Sequence, residues 1–311
     1  MAVSSFPTTL RTHTLFPSSP DIYKGVGIYS WHQASVYEAL TGKRTLSLLH
    51  VVKSNLQNKG TLKVSCNRKD EAAILEVRSM DEIYESLAHR LLPTAAVTSN
   101  PNLKYIVGLA GPPGAGKSTV ASEVVKRINK KWPQKAPSMD ELVGSPDVAI
   151  VLPMDGFHLY RNQLDAMEDP EEAHARRGAP WTFDPERLLN CLQTLRTRGS
   201  VCAPSFDHGV GDPIEDDIFV SVQHKIVIVE GNYLLLDEGV WSDISNMFDE
   251  KWFIDVDLDT SMQRVLKRHI STRKPPDVAK WRIEYNDRPN AEMIMNSKKN
   301  ADLIIKSIEI S

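Results

Sequence analysis

The sequence predicts an α/β fold, a three-layer arrangement with a central, mostly parallel five-stranded sheet and helices on both faces. Three observations carry that prediction. Residues 105–110, 148–152, 225–229, 252–256 and 303–308 are short Val-, Ile- and Leu-rich runs, the pattern of strands buried on both sides. Apolar residues at helical spacing lie between several of these runs, as at Val120, Ala121, Val124, Val125 and Ile128. A glycine-rich loop joins the first run to that helix.

The loop reads Gly111-Pro112-Pro113-Gly114-Ala115-Gly116-Lys117-Ser118-Thr119. Gly111, Gly116, Lys117 and Ser118 fit G-x-x-x-x-G-K-[ST], the Walker A phosphate loop of P-loop NTPases. Backbone N–H groups wrap a polyphosphate only where side chains are small, and the helix that follows turns its positive end toward it. Lys117 is then the residue for the β/γ-phosphates, and the Ser118 hydroxyl a ligand for Mg²⁺.

Composition narrows the class further. The chain has 311 residues, 41% hydrophobic and 25% charged, values ordinary for a soluble globular protein. A net charge of −3 gives no electrostatic case for nucleic acid or an anionic membrane. No apolar run approaches the roughly 18 residues of a membrane span. Cys66, Cys191 and Cys202 have neither zinc-site nor disulfide-framework spacing, and a reducing compartment fits them. From Met1 to Lys69 the only acids are Asp21 and Glu38, while Ser and Thr are dense. That is the composition of an organellar transit peptide, here read as a chloroplast peptide over residues 1–66 and disordered. A mitochondrial presequence and a plain disordered tail are the rival readings.

Residues 67–101 read as a helical extension and linker. Ser79 and Glu82 make a capping box before Ile83, Leu87 and Leu91, and Pro93 is expected to end the helix. The phosphate-loop domain then spans 102–311. Residues 130–147 are a polar surface loop. The second strand runs into Asp155, an acid just past a strand end, where open α/β sheets place chemistry; a turn aspartate is the bland alternative. Arg176 and Arg177 either hold an anionic substrate or form a solvated basic turn. Asp184, Pro185 and Gly199 bound a helix with Leu188, Leu189, Leu192 and Leu195 on its buried face. Residues 201–208 form a short strand whose Asp207 and His208 line an acceptor pocket or cap a turn. Asp212, Glu215, Asp216 and Asp217 read as a solvated acidic turn. Glu230 ends the third strand, the Walker B position for Mg²⁺. A helix starting at Asp259 or Thr260 carries Arg264 and Arg268 four apart; like charges at that spacing repel unless an anion lies between them, as under a lid over a triphosphate. Pro275 and Pro276 open a helical segment containing Trp281 and Tyr285, and residues 286–290 read as a turn.

The ordered series GPPGAGKST, PMDGFHLY, RRGAPWTFD, APSFD, VIVEGNYLLLD and NDRPNA resembles the phosphoribulokinase/uridine kinase family of P-loop kinases over about residues 103–308. It is most similar to a bacterial branch labelled fructose-transport-system kinase or nucleoside/nucleotide kinase, and is also similar to bacterial pantothenate kinase. The resemblance implies Asp155 as the base for an acceptor hydroxyl, Lys117 with Arg264 and Arg268 as the charges on the moving phosphoryl group, and Ser118 with Glu230 as the Mg²⁺ residues. Asp155, His158, Arg177, Phe183, Asp207, Glu230 and Asn232 are the acceptor-side candidates. His158 stands after Phe157 where uridine kinases usually carry Tyr, and the dense arginine run of their lid is missing. ATP, Mg²⁺ and a small hydroxyl-bearing metabolite are the expected partners. The competing class is a nucleotide-dependent switch or assembly factor without a small acceptor; no N-K-x-D stretch favours GTP.

Overall fold

The computed structural model describes residues 63–65, 72–97, 103–132, 147–207 and 209–306, all within one unit, Asn58–Ser311. The transit-peptide expectation therefore lies outside the described residues except at 63–65, as do His208, residues 98–102 of the linker and most of the 130–147 loop.

The strands are β1 (Lys63–Ser65), β2 (Ala73–Glu76), β3 (Tyr105–Ala110), β4 (Ala149–Pro153), β5 (Val201–Asp207), β6 (Asp212–Val220), β7 (Ile226–Gly231), β8 (Glu250–Asp255) and β9 (Leu303–Lys306). The main helices are α1 (Met80–Val97), α2 (Lys117–Lys131), α3 (Pro185–Arg198), α4 (Gly239–Asn246), α5 (Leu258–Ser271), α6 (Pro276–Arg282) and α7 (Arg288–Asn296). Seven strands form one sheet in the order β1-β2-β9-β8-β3-β7-β4. All neighbours are parallel except the edge strand β1, which pairs antiparallel with β2. All five predicted core strands are present, and the sheet has two more.

Strand periodicity divides the core. Val107, Leu109 and Ile228 face α1 and α2, packing on Ile83, Leu87, Leu91, Val120, Val124 and Ile128. Ile106, Val227 and Val229 face the other way, onto Leu188, Leu192, Leu195 and Ile244 of α3 and α4. Adjacent residues of one strand thus serve opposite layers. The α3 boundaries are those read from sequence: the Asp184 side chain accepts from the Arg187 N–H, and Gly199 closes the helix at φ 72°.

The remaining differences have local causes. The two extra strands come from the N-terminal extension, so β1 and β2 extend the sheet before residue 102, and residues 63–65 are paired rather than disordered. Pro93 lies inside α1, which runs to Val97. A proline forgoes one helical hydrogen bond, but Leu91, Leu92 and Ala95 around it are fully buried and hold the turn in place. The acidic stretch 212–217 is not a turn. It is the first part of β6, an antiparallel partner of β5. Its outward side chains mislead because charges on an exposed ribbon face look like a loop; Arg177 pairs with Asp212 and Arg187 with Glu215. Residues 286–290 are also not a turn. A π-helical segment, Ile283–Asp287, runs straight into α7, where Pro289 sits in the first turn and needs no N–H partner.

Among the described residues no helix is long and apolar enough to cross a membrane.

Candidate active site

The C-terminal ends of three parallel strands meet at one point. β3 delivers the phosphate loop, β4 delivers Asp155 in a one-turn 3-10 helix, and β7 ends in Glu230-Gly231. The register sets Glu230 beside Leu109 on one side and Pro153 on the other. An open parallel sheet binds ligands at this edge because helix N-termini and loops converge there.

The loop is built as a bare cradle. Gly114 and Gly116 adopt φ 80° and φ 90°, conformations that L side chains avoid. A Cβ on Gly114 would lie 2.7 Å from the Ser261 carbonyl oxygen, so only glycine lets α5 approach this closely. Gly111, Pro112 and Ala115 shape the loop from beneath. The Ala115 N–H donates to the Pro112 carbonyl, and Ala115 packs into the core.

Lys117 is buried, and its Nζ donates to the carbonyls of Gly111 (3.0 Å) and Pro112 (3.1 Å) and to Asn232 Oδ1 (2.7 Å). Burial pushes its ammonium below the ordinary lysine value, while the carboxylates of Glu230 and Asp155 oppose that shift. The Ser118 hydroxyl donates to Glu230 Oε1 at 2.8 Å. Glu230 is buried, which raises its carboxyl above the usual range; Lys117 pulls the other way.

A cavity of about 340 Å³ opens over this cluster. Its floor is Pro113, Gly114 and Gly116 through Thr119; Asp155, Glu230 and Asn232 line one wall, and Arg264 and Arg268 of α5 the other. The Asp155 carboxylate has no hydrogen-bond partner among the described residues. The two arginines share a helix face as their spacing implies. Neither has a carboxylate within ion-pair distance among the described residues; Arg264 Nη1 reaches the Gly114 carbonyl at 3.4 Å. Sequence reasoning missed what seats that helix: the buried Ser261 hydroxyl donates to the Pro113 carbonyl. A small residue on the face shared with Arg264 was the available signal.

The acceptor-side candidates divide. His158 follows the Asp155 turn, with Nδ1 2.8 Å from the Asp155 carbonyl and its ring 3.9 Å from Phe183 and 4.6 Å from Phe206. Phe183 is itself buried, the base of this aromatic wall rather than its surface. The β5–β6 hairpin seats on the same turn: a Cβ on Gly156 would lie 2.0 Å from the Pro204 carbonyl oxygen. Arg177 does not reach the phosphate cavity. Its Nη2 donates to the Leu159 carbonyl (2.9 Å) and to Asp212 (3.2 Å). Asp207 takes the turn-capping place, one of the two readings of its position. Its carboxylate accepts from the N–H groups of Gly209 (2.6 Å) and Val210 (3.2 Å), capping its own turn as short polar side chains do.

Fold and site together define a P-loop kinase. A model of the Phosphoribulokinase / Uridine kinase family matches residues 106–311, and the chain belongs to that family. A Schizosaccharomyces pombe protein provisionally named a uridine kinase is 33% identical over 239 residues, covering 76% of this chain and 93% of its own length. An Aspergillus versicolor ATP-dependent kinase-like protein is 42% identical over 152 residues, 47% of this chain and 88% of its own. The crystal structure of a protein from Silicibacter sp. TM1040, provisionally titled a fructose transport system kinase, superposes with TM-score 0.59 at 28% identity, covering 73% of this chain and 98% of that one. The protein is thus a small-molecule kinase of the phosphoribulokinase/uridine kinase type.

Proposed function

We propose that this kinase transfers the γ-phosphoryl group of ATP to a hydroxyl of a small metabolite, with Asp155 as general base and Ser118 and Glu230 holding Mg²⁺. The observation that carries the reading is the division of labour between two acids in one cavity. Glu230 is buried against Ser118, the place for a metal-holding carboxylate, whereas Asp155 faces the cavity with its oxygens uncommitted. The residues fit a nucleotide and a metal: Gly116, at φ 90° with open space where a Cβ would stand, keeps the cavity floor bare, and hydroxyl and carboxylate oxygens are the donors magnesium takes.

Asp155 accepts the acceptor hydroxyl's proton as the oxygen bonds to Pγ and the bond from Pγ to the bridging oxygen of ADP breaks. Lys117 stays in place through three oxygen partners and neutralises charge on the leaving side; Arg264 and Arg268 do so from above. Bound Mg²⁺ supplies further neutralisation of phosphate charge. The α5 wall excludes water, which would otherwise hydrolyse ATP.

The test is ADP release across a metabolite panel. Turnover that rises sharply with one metabolite supports the reading, and stimulation by a protein partner alone contradicts it. We also propose chloroplast import, supported by the acid-poor, Ser/Thr-rich composition before residue 67. Import into isolated plastids tests it, and an unprocessed, excluded product would sink it.

A further inference from the structure

The segment 176–178 packs against the π-helical segment beside α6, and arginines stand on both sides of that contact. Asn286 Nδ2 donates to the Arg177 carbonyl at 3.1 Å, and a Cβ on Gly178 would lie 3.6 Å from the same nitrogen. Arg282 precedes Asn286 by four residues and shares its helix face. Arg176 lies 5.7 Å over the ring of Tyr285.

These arginines are under-satisfied. Nε of Arg176, Nε of Arg282, and Nε and Nη1 of Arg177 are buried without a hydrogen-bond partner. Arg177 at least pairs with Asp212. Arg176 and Arg282 have no ion-pair partner among the described residues, and their terminal nitrogens are not buried. The acids nearby are engaged elsewhere: Glu172 accepts from the Tyr285 hydroxyl at 2.6 Å, and Asp287 lies 2.8 Å from His269 Nε2. A guanidinium held by its stem, with its fork open, matches the planar pair of oxygens on a carboxylate or phosphate.

The cluster borders the acceptor side. The Tyr233 hydroxyl donates to the Gly178 carbonyl at 2.5 Å, and the charges of Asp287, Arg176 and Asp155 all act on that phenol. Arg177 lies over Phe206, which with Phe183 forms the aromatic wall around His158.

We propose that the phosphate acceptor is itself an anion, a hydroxyl compound carrying a carboxylate or a phosphate, and that Arg176 and Arg282 clamp that group while its hydroxyl faces Asp155. This rests on the kinase reading above. It excludes neutral nucleosides and polyols as the favoured acceptors, because they would leave both forks unfilled.

Two measurements test it separately. In the first, inorganic phosphate and acetate are titrated calorimetrically into the full chain saturated with Mg²⁺ and a non-hydrolysable ATP analogue, so that the phosphate loop is already filled. Saturable binding of either probe, weakened tenfold or more by Arg176→Gln and by Arg282→Gln, is expected. Arg176→Lys and Arg282→Lys keep the charge without the fork and should fall between. No saturable binding, or equal binding by wild type and all four variants, overturns the proposal. In the second, ADP release is compared for a neutral polyol, the corresponding hydroxy acid and the corresponding phosphomonoester. A higher kcat/KM for an acidic member, with KM raised tenfold by Arg282→Gln, supports the clamp, and the better of the two acids identifies its group. Turnover of the neutral member alone overturns the clamp and leaves the kinase standing. If no acceptor raises ADP release, the kinase reading fails, and the calorimetric arm decides the anion site alone.

Discussion

Deleting helix α1 should unfold the kinase domain, although the family match begins beyond it at Ile106. α1 buries Ile83, Leu87, Leu91 and Leu92 to 1% exposure or less against α2 and the sheet. At about 1.5–3 kcal/mol for each large aliphatic side chain, these four contribute about 6–12 kcal/mol. That equals most of the roughly 5–15 kcal/mol that stabilises a typical domain. The ion pairs joining the helices, Arg127 with Asp81 and Lys131 with Glu85, add little by comparison because they are partly solvated. Leu87→Ala alone should therefore destabilise by about 2–5 kcal/mol. Urea unfolding followed by tryptophan fluorescence and circular dichroism measures it. A chain lacking residues 1–62 should keep the full-length midpoint, and one lacking residues 1–102 should show no cooperative transition. A Leu87→Ala shift below about 1 kcal/mol, or a cooperative midpoint retained after removal of residues 1–102, would refute the packing argument.

Three further outcomes are expected. Arg264→Ala and Arg268→Ala should slow transfer and shift ADP release toward hydrolysis; unchanged coupling between ATP use and acceptor phosphorylation in both would make them surface charges. Glu230→Gln should raise the Mg²⁺ concentration for half-maximal rate, checked by Mg²⁺ titration of turnover, and an unaltered requirement would remove it from the metal site. Lys104 is buried, its Nζ donating to the Ser221 and His224 carbonyls, and burial pushes its ammonium down to about 8 from 10.5. Between those values the unfolded chain binds more protons than the native one, so this lysine makes stability rise with pH over that window. Lys104→Met should flatten the rise in melting temperature, and an identical slope in both proteins would count against it.

Much of the architecture is written locally. The phosphate loop, the five core strands and the Asp184–Gly199 helix limits follow from apolar runs, caps and glycine, all of which act over a few residues. β6 escaped because an exposed ribbon carries its charge pattern outward, and its pairing with β5 is a tertiary fact. Pro93 misled because a proline rule weighs one hydrogen bond without the burial of Leu91 and Leu92. In the site, Lys117, Ser118, Asp155, Glu230, Asn232, Arg264 and Arg268 converge as their positions at strand ends and on one helix face imply. Asp207 caps its own turn, one of the two roles its position offered, whereas Arg177 is held by a backbone carbonyl and a hairpin acid that no spacing reveals. Ser261 offered only its small size and its place on the Arg264 face, because its role is defined by a carbonyl 148 positions away.

The central claim is that Asp155 takes the acceptor proton while Glu230 serves the metal. Asp155→Asn keeps size and polarity but does not accept that proton. General-base catalysis contributes about 10²–10⁴-fold, so acceptor-dependent ADP release at saturating Mg²⁺ and ATP should fall by that order while ATP affinity persists. Wild-type turnover by Asp155→Asn under those conditions would contradict the account.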